Sequence, residues 1–174
     1  MQSIYLAGGC FWCTEATFLS IEGIKEVVPG YMGGETDNPT YEQVCQGNTG
    51  HAEVVKCVYE KAKISLETIL EIFFKSHNPT QLNRQGNDLG TQYRSAIFVD
   101  NDGDQKVVLS FITRIQKLFT DNIVTQVSLN NNFFEAEDMH KNYYFKNPTS
   151  AYCMAIIKPK LEYLSKNFSL KNFK

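Results

Sequence analysis

A chain of 174 residues has the usual size of one domain and is long enough to bury most of the surface its extended form exposes. The balance of 17 Lys plus Arg against 19 Asp plus Glu leaves a net charge of −2 with no block of like charge, so neither nucleic acid nor an anionic membrane is an expected partner. An apolar share of 43% argues for a packed globular chain, and no apolar run nears the ~18 residues that span a bilayer.

The segment Met1 to Cys10 lacks the basic start and sustained apolar stretch of a secretory signal. Cys10, Cys13, Cys45, Cys57 and Cys153 are an odd and sparse set, unlike a disulfide-dense secreted scaffold, and predict reduced thiols in a cytoplasm. No repeat, low-complexity tract or linker divides the sequence, and one domain is expected over 1–174.

In chain order, Ile4 to Ala7 read as a short strand ended by Gly8-Gly9, and Thr14 to Leu19 carry helix-compatible spacing. Cys10 is therefore expected on a strand-to-helix turn. Ile24 to Tyr31, closing on Gly33-Gly34, and Ala52 to Glu60, after the Asn48-Thr49-Gly50 turn, read as strands. From an N-cap at Ser65, Leu66, Ile69, Leu70, Phe73 and Phe74 recur at helical spacing and stop before Asn78-Pro79. Tyr93 to Val99 reads as a strand. A helical stripe of Val108, Phe111, Ile112, Ile115, Leu118 and Phe119 follows, then a strand over Ile123 to Leu129. His140 to Phe145 fits a short helix, and Leu161, Leu164 and Phe168 suggest a last amphipathic helix after Pro159. Strands interleaved with one-sided helices predict an α+β fold, a two-layer α/β sandwich whose mixed sheet carries its helices mainly on one face.

The stretch Gly8-Gly9-Cys10-Phe11-Trp12-Cys13-Thr14-Glu15 sets a cysteine behind two glycines at a helix start. Unpaired N–H groups and the helix dipole there favour an anion, which predicts a lowered Cys10 pKa and a reactive thiol. An arbitrary free cysteine is more often a small buried hydrophobe, but this position reverses that preference. Phe11 and Trp12 read equally well as core aromatics or as pocket walls. Cys10 and Cys13 form a Cys-x-x-Cys pair, a redox dithiol or half a zinc site. No second such pair exists, and His51, His77 and His140 show no ligand spacing, so no metal is expected.

Strand alternation places Glu53 on one face with Val55, Cys57 and Tyr59. A carboxyl held on an apolar face resists ionisation, which raises its pKa toward neutrality and makes Glu53 the candidate general acid. The competing reading is a solvated residue at an exposed strand start. By the same parity Tyr93 shares a face with Ser95, Ile97 and Val99, where its hydroxyl would serve a site or cap the core.

Together, Gly9-Cys10-Phe11-Trp12 with Glu15, the stretch Tyr41 to Glu53, Gln85-Gly86-Asn87-Asp88 to Gln92-Tyr93-Arg94-Ser95, and Ala136-Glu137-Asp138 with His140 resemble the type A peptide methionine sulfoxide reductase family. The resemblance covers Ile4 to Cys153. It implies a two-layer α/β sandwich and thiol-dependent reduction of the S epimer of methionine sulfoxide, free or within proteins. Carried over by position, it makes Cys10 the nucleophile and Glu53 the proton donor to the sulfoxide oxygen. Tyr41 and Tyr93 then bond that oxygen, Phe11 and Trp12 wall the methyl pocket, Asp88 supports the site and Tyr152 adds a further wall. Attack leaves a sulfenic acid that another thiol resolves as a disulfide. Cys153 holds the Tyr-Cys position of a resolving cysteine, yet Met154 to Leu161 lacks the glycine-rich, mobile tail common in the family. Cys13 is accordingly favoured over Cys153, with an external thiol as a third route. Cys45 and Cys57 are expected to be structural. Thioredoxin is the implied electron donor, with no organic cofactor. Two rival readings are a thiol–disulfide oxidoreductase using Cys10 and Cys13, and a module that binds oxidised methionine without turnover.

Overall fold

In the computed structural model, residues 1–130 and 132–168 are described; 169–174, part of the expected domain, lie outside the described residues. The elements in order are β1 (Gln2–Gly8), α1 (Phe11–Leu19), β2 (Ile24–Met32), α2 (Tyr41–Cys45), β3 (Ala52–Tyr59), α3 (Leu66–Ser76), β4 (Arg84–Gln85), β5 (Asp88–Leu89), β6 (Ser95–Val99), α4 (Asp102–Ile115), β7 (Gln126–Leu129), β8 (Phe134–Glu135), α5 (Tyr143–Lys146) and α6 (Lys158–Ser165). Six strands form one sheet in the order β7-β6-β1-β3-β2-β8. The β6–β7 pair is parallel and the others are antiparallel, so the sheet is mixed. β4 and β5 form a separate small hairpin.

Period-two alternation divides the strand residues between two layers. Ile4, Leu6, Val55, Cys57, Ile97 and Val99 meet Phe18 of α1, Leu70 and Phe73 of α3 and Val108 of α4 in one buried cluster. The opposite parity, with Tyr5, Ala7, Met32, Val54, Ala96 and Phe98, is buried beneath Phe133 instead of a helix. The fold is thus the expected two-layer α+β sandwich. Helix starts are where side chains can cap them: Ser65 accepts the Thr68 N–H, Asn101 accepts the Asp104 N–H, and Thr40 and Gln43 form a reciprocal capping box.

Four expectations are corrected. α1 begins at Phe11, three residues before the expected Thr14, because Cys10 itself occupies the N-cap. Tyr93 ends a short 3-10 turn over Thr91–Tyr93, entered from Gly90 at φ 135°, and the strand begins at Ser95. Asn142, at φ 56°, interrupts the helix expected over His140 to Phe145 and leaves a 3-10 turn at Asp138–His140 followed by α5. Leu118, expected on the α4 stripe, is 74% exposed because that helix ends at Ile115.

Phe73 is fully buried and its ring reaches to where a Cβ on Gly8 would lie, so it fastens α3 to the end of β1 that leads into Cys10. Phe73→Ala is expected to lower the unfolding free energy by about 3–5 kcal/mol, measured by urea denaturation. A change within a few tenths of a kcal/mol would contradict its place in the core.

Candidate active site around Cys10

Sheet register assembles the site. Leu6 pairs with Val55 and Gly8 with Ser95, so continuing the first register by two residues sets Gly8 between Glu53 and Ser95. Tyr31 of β2 pairs with Glu53 on its other side. Cys10 and Tyr93 therefore lie two residues beyond neighbouring strand ends. Gly9 makes the turn from β1 into Cys10: its φ of 96° strains any side chain, and a Cβ would fall 2.8 Å from Gln85 Cγ.

Glu53 is 1% exposed, and its Oε2 accepts the Phe11 N–H at 2.9 Å. Burial pushes its carboxyl up to about 8, with the Asp88 charge adding and the Phe11 N–H opposing. Below that pH Glu53 holds a proton inside the protein, as the alternation argument requires of a proton donor.

Cys10 is half-buried at the N-cap of α1. Burial and then the Glu53 charge push its thiol well above 9.0, against the pull of the Trp12 N–H and the Tyr152 hydroxyl. The expected lowering is thus reversed. The first N–H of the helix is committed to Glu53, and removal from water outweighs the donors that remain.

Tyr41 opens α2, where its N–H donates to Glu137 Oε1 at 2.8 Å and its hydroxyl donates to the Cys45 sulfur. Tyr93 lies near enough to Glu53 for that charge, after burial, to push its phenol up. Tyr41 is pushed up as well, by burial, by the Cys45 bond and by Glu53. Cys45, expected to be structural, is exposed beside these tyrosines, whereas Cys57 is fully buried.

The other flank of Cys10 opens onto a cavity of about 350 Å³ lined also by Cys13, Asp88, Tyr152, Ile156 and Lys160. Tyr152 donates its hydroxyl to Asp88 Oδ2 at 3.1 Å and lies within hydrogen-bonding reach of the Cys10 sulfur. Cys10 stands between two half-sites, one of acid and phenols and one of second thiol and open space. Phe11 is fully buried as the floor, against Tyr31 and Tyr41 at ring distances of 5.8 and 6.2 Å. Trp12 is half-buried and stacks on Tyr143 at 3.7 Å. Cys13 packs with Ala16, Cys153 and Ile157 in a small apolar cluster, and Cys153 opens a π-helical turn, Cys153–Ile157, that runs into α6. Tyr31, Cys45 and Tyr143 join the site through tertiary structure. Among the described residues no group of His, Cys, Asp and Glu is placed to hold a metal, and no helix is long and apolar enough to cross a membrane.

The family model for peptide methionine sulfoxide reductase matches residues 2–172. The chain belongs to the peptide methionine sulfoxide reductase family. A relative named peptide methionine sulfoxide reductase MsrA from Vesicomyosocius okutanii is 52% identical over 162 residues, 93% of this chain and 97% of its own length. Among solved structures, reduced Mxr1 from Saccharomyces cerevisiae has a TM-score of 0.83 and 37% identity, covering 87% of this chain and 88% of that one. Mxr1 in complex with Trx2 has a TM-score of 0.59 and 25% identity, covering 82% and 84%.

Burial first, and then the Glu53 charge where that group is ionised, hold the Cys10 thiol protonated in this family member, so removing the charge makes the thiol more acidic. Alkylation of Cys10 by iodoacetamide, followed by mass analysis of its peptide, is expected to rise at lower pH in Glu53→Gln than in wild type. Superimposable profiles would show that the two groups do not interact.

Proposed function

We propose that the chain reduces the S epimer of methionine sulfoxide to methionine, with Cys10 as nucleophile and Glu53 as general acid. The observation that carries this is a carboxyl, 1% exposed and bonded to the first N–H of α1, set beside the Cys10 thiol, where burial favours its protonated form. A sulfoxide is a poor electrophile until its oxygen is protonated or hydrogen-bonded, so it needs such an acid. A thiol–disulfide oxidoreductase needs the reverse, a thiolate stabilised at neutral pH. Tyr41 and Tyr93 supply further hydroxyl donors, Trp12 and the floor residue Phe11 hold the methyl group, and Asp88 steadies Tyr152 on the opposite wall. Acid assistance is worth about 10² to 10⁴ in rate.

The Cys10 sulfur attacks the sulfoxide sulfur while Glu53 protonates its oxygen. The oxygen then passes as hydroxyl from the substrate sulfur to the Cys10 sulfur while the newly formed sulfur–sulfur bond breaks, so methionine leaves reduced by two electrons and Cys10 is oxidised to a sulfenic acid. A second thiol then displaces that oxygen as water, forming a disulfide that two electrons from thioredoxin reduce. Cys13, one turn along α1 and lining the same cavity, is the first resolving thiol. Cys153, fully buried against the Cys13 cluster, is reached only when its helical turn opens.

Single-turnover reduction is expected to fall as pH rises through about 8, because Glu53 loses its proton there even as the thiolate fraction of Cys10 grows. Glu53→Gln is expected to abolish that alkaline limb and cost about 10² or more in rate with the fold retained. A wild-type rate that climbs steadily through pH 9 would remove Glu53 from the acid role.

Mass analysis after limiting sulfoxide without reductant separates the resolving routes. Cys13→Ser is expected to stop at the sulfenic acid while Cys153→Ser still forms a disulfide; arrest only in Cys153→Ser would assign resolution to the C-terminal segment.

A further inference from the structure

The turn that follows β8 carries two groups that the proposed chemistry leaves unused. His140 is 1% exposed, and its Nδ1 accepts the Trp12 Nε1–H at 3.1 Å. An acceptor at Nδ1 requires the neutral ring to carry its proton on Nε2. Among the described residues, that buried Nε2 has no hydrogen-bond partner, and it lies 3.8 Å from Glu137 Oε2, near enough for attraction and too far for a direct bond. Glu137 Oε2 also accepts the Tyr31 hydroxyl at 2.8 Å, and its Oε1 accepts the Tyr41 N–H at 2.8 Å. The His140 ring lies 4.4 Å from the Tyr41 ring and 5.2 Å from the Phe11 ring.

We infer that His140, with Glu137 beside it, forms a positioning unit that sets the Trp12 indole in the methyl pocket, acting on sulfoxide binding and not on the chemical step. The inference rests on the reductase reading above. Trp12 is half-buried, with Tyr143 stacked on one face and His140 at its N–H edge, so two contacts fix both the tilt and the rotation of the indole. Burial keeps His140 neutral by lowering its pKa, which preserves the acceptor that the indole uses. Glu137 takes two donors from different elements, β2 and α2, and so ties the start of α2 to the sheet beside Glu53. A wall that grips the methyl group equally in ground and transition states changes affinity without changing the saturated rate.

Trp12 is the only tryptophan in the chain, so intrinsic emission reports it without ambiguity. His140→Phe keeps a ring and removes the acceptor, while His140→Asn keeps a side-chain oxygen near the Nδ1 position. In single turnovers with a methionine sulfoxide peptide, His140→Phe is expected to weaken substrate binding about tenfold and leave the saturating rate within about twofold of wild type. Its Trp12 emission maximum is expected to shift, and His140→Asn is expected to restore both readouts. Unchanged affinity and emission in His140→Phe, a loss confined to the saturating rate, or no rescue by Asn would each overturn the positioning role. Should His140→Phe fail to fold, Glu137→Gln carries the test: weaker binding at a retained saturating rate supports the unit, and a lost rate at unchanged affinity refutes it. The emission arm needs no turnover. A wild type that leaves the sulfoxide unreduced would therefore end the reductase reading while emission still decides whether His140 holds Trp12.

Discussion

The hydrogen bond from the Phe11 N–H to Glu53 Oε2, 2.9 Å across 42 residues of sequence, is the constraint on which the rest of the site depends. It joins the start of α1 to the start of β3 and so locks the helix layer to the sheet where Cys10 emerges. It also takes the N–H best placed to stabilise a Cys10 thiolate. The result is a coupled pair. While Glu53 is protonated its charge is absent and the thiol ionises more readily; once Glu53 ionises, its charge holds the thiol proton in place. In the proposed reaction, only the protonated-acid state would offer both a donor for the sulfoxide oxygen and a nucleophile free of repulsion.

Around that pair the chain uses carboxyl groups as ties. Glu15, 1% exposed on α1, accepts the Asn142 N–H at 2.8 Å and the Tyr143 N–H at 3.3 Å. Those bonds hold the start of α5 and with it the ring of Tyr143 flat against Trp12. Glu137 does the equivalent for Tyr31 and Tyr41. Each tie satisfies backbone or phenol donors that would otherwise be unpaired beside an apolar pocket. These ties hold the aromatic rings in place beside Cys10.

Legibility in the sequence followed range. The turn at Gly8-Gly9, the helix from Ser65 and the parity of Glu53 depend on neighbours in the chain or on strand period, and all three were readable. The sign of the Cys10 shift was not, because the local pattern displays free N–H groups but not the distant carboxylate that claims one of them. Tyr93 was misassigned to a strand since parity continues backwards without a boundary, and only Gly90 at φ 135° marks the turn. Glu137 and His140 were visible only as part of a resemblance. Their partners, Tyr31, Tyr41, Trp12 and Phe11, lie in three other segments, and nothing in the turn itself names them.

Packing around the C-terminal segment bears on which thiol could meet Cys10 with least rearrangement. Cys13 and Cys10 share the first turn of α1, with the Cys13 N–H 3.1 Å from the Cys10 carbonyl, so bringing their sulfurs together asks only that one turn relax. Cys153 is fully buried, caught by the Ser150 hydroxyl at its N–H and followed by a π-helical turn with no glycine. A π-turn is a rare, usually single-turn departure from α-helix, and here it separates Tyr152 from α6. Tyr152, immediately before it, is held by Asp88 beside the Cys10 sulfur. Movement of Cys153 toward the active site must therefore break the Tyr152–Asp88 bond and leave the cluster it shares with Cys13, Ala16 and Ile157. On the proposed route, a disulfide between Cys10 and Cys13 would require none of that structure to open.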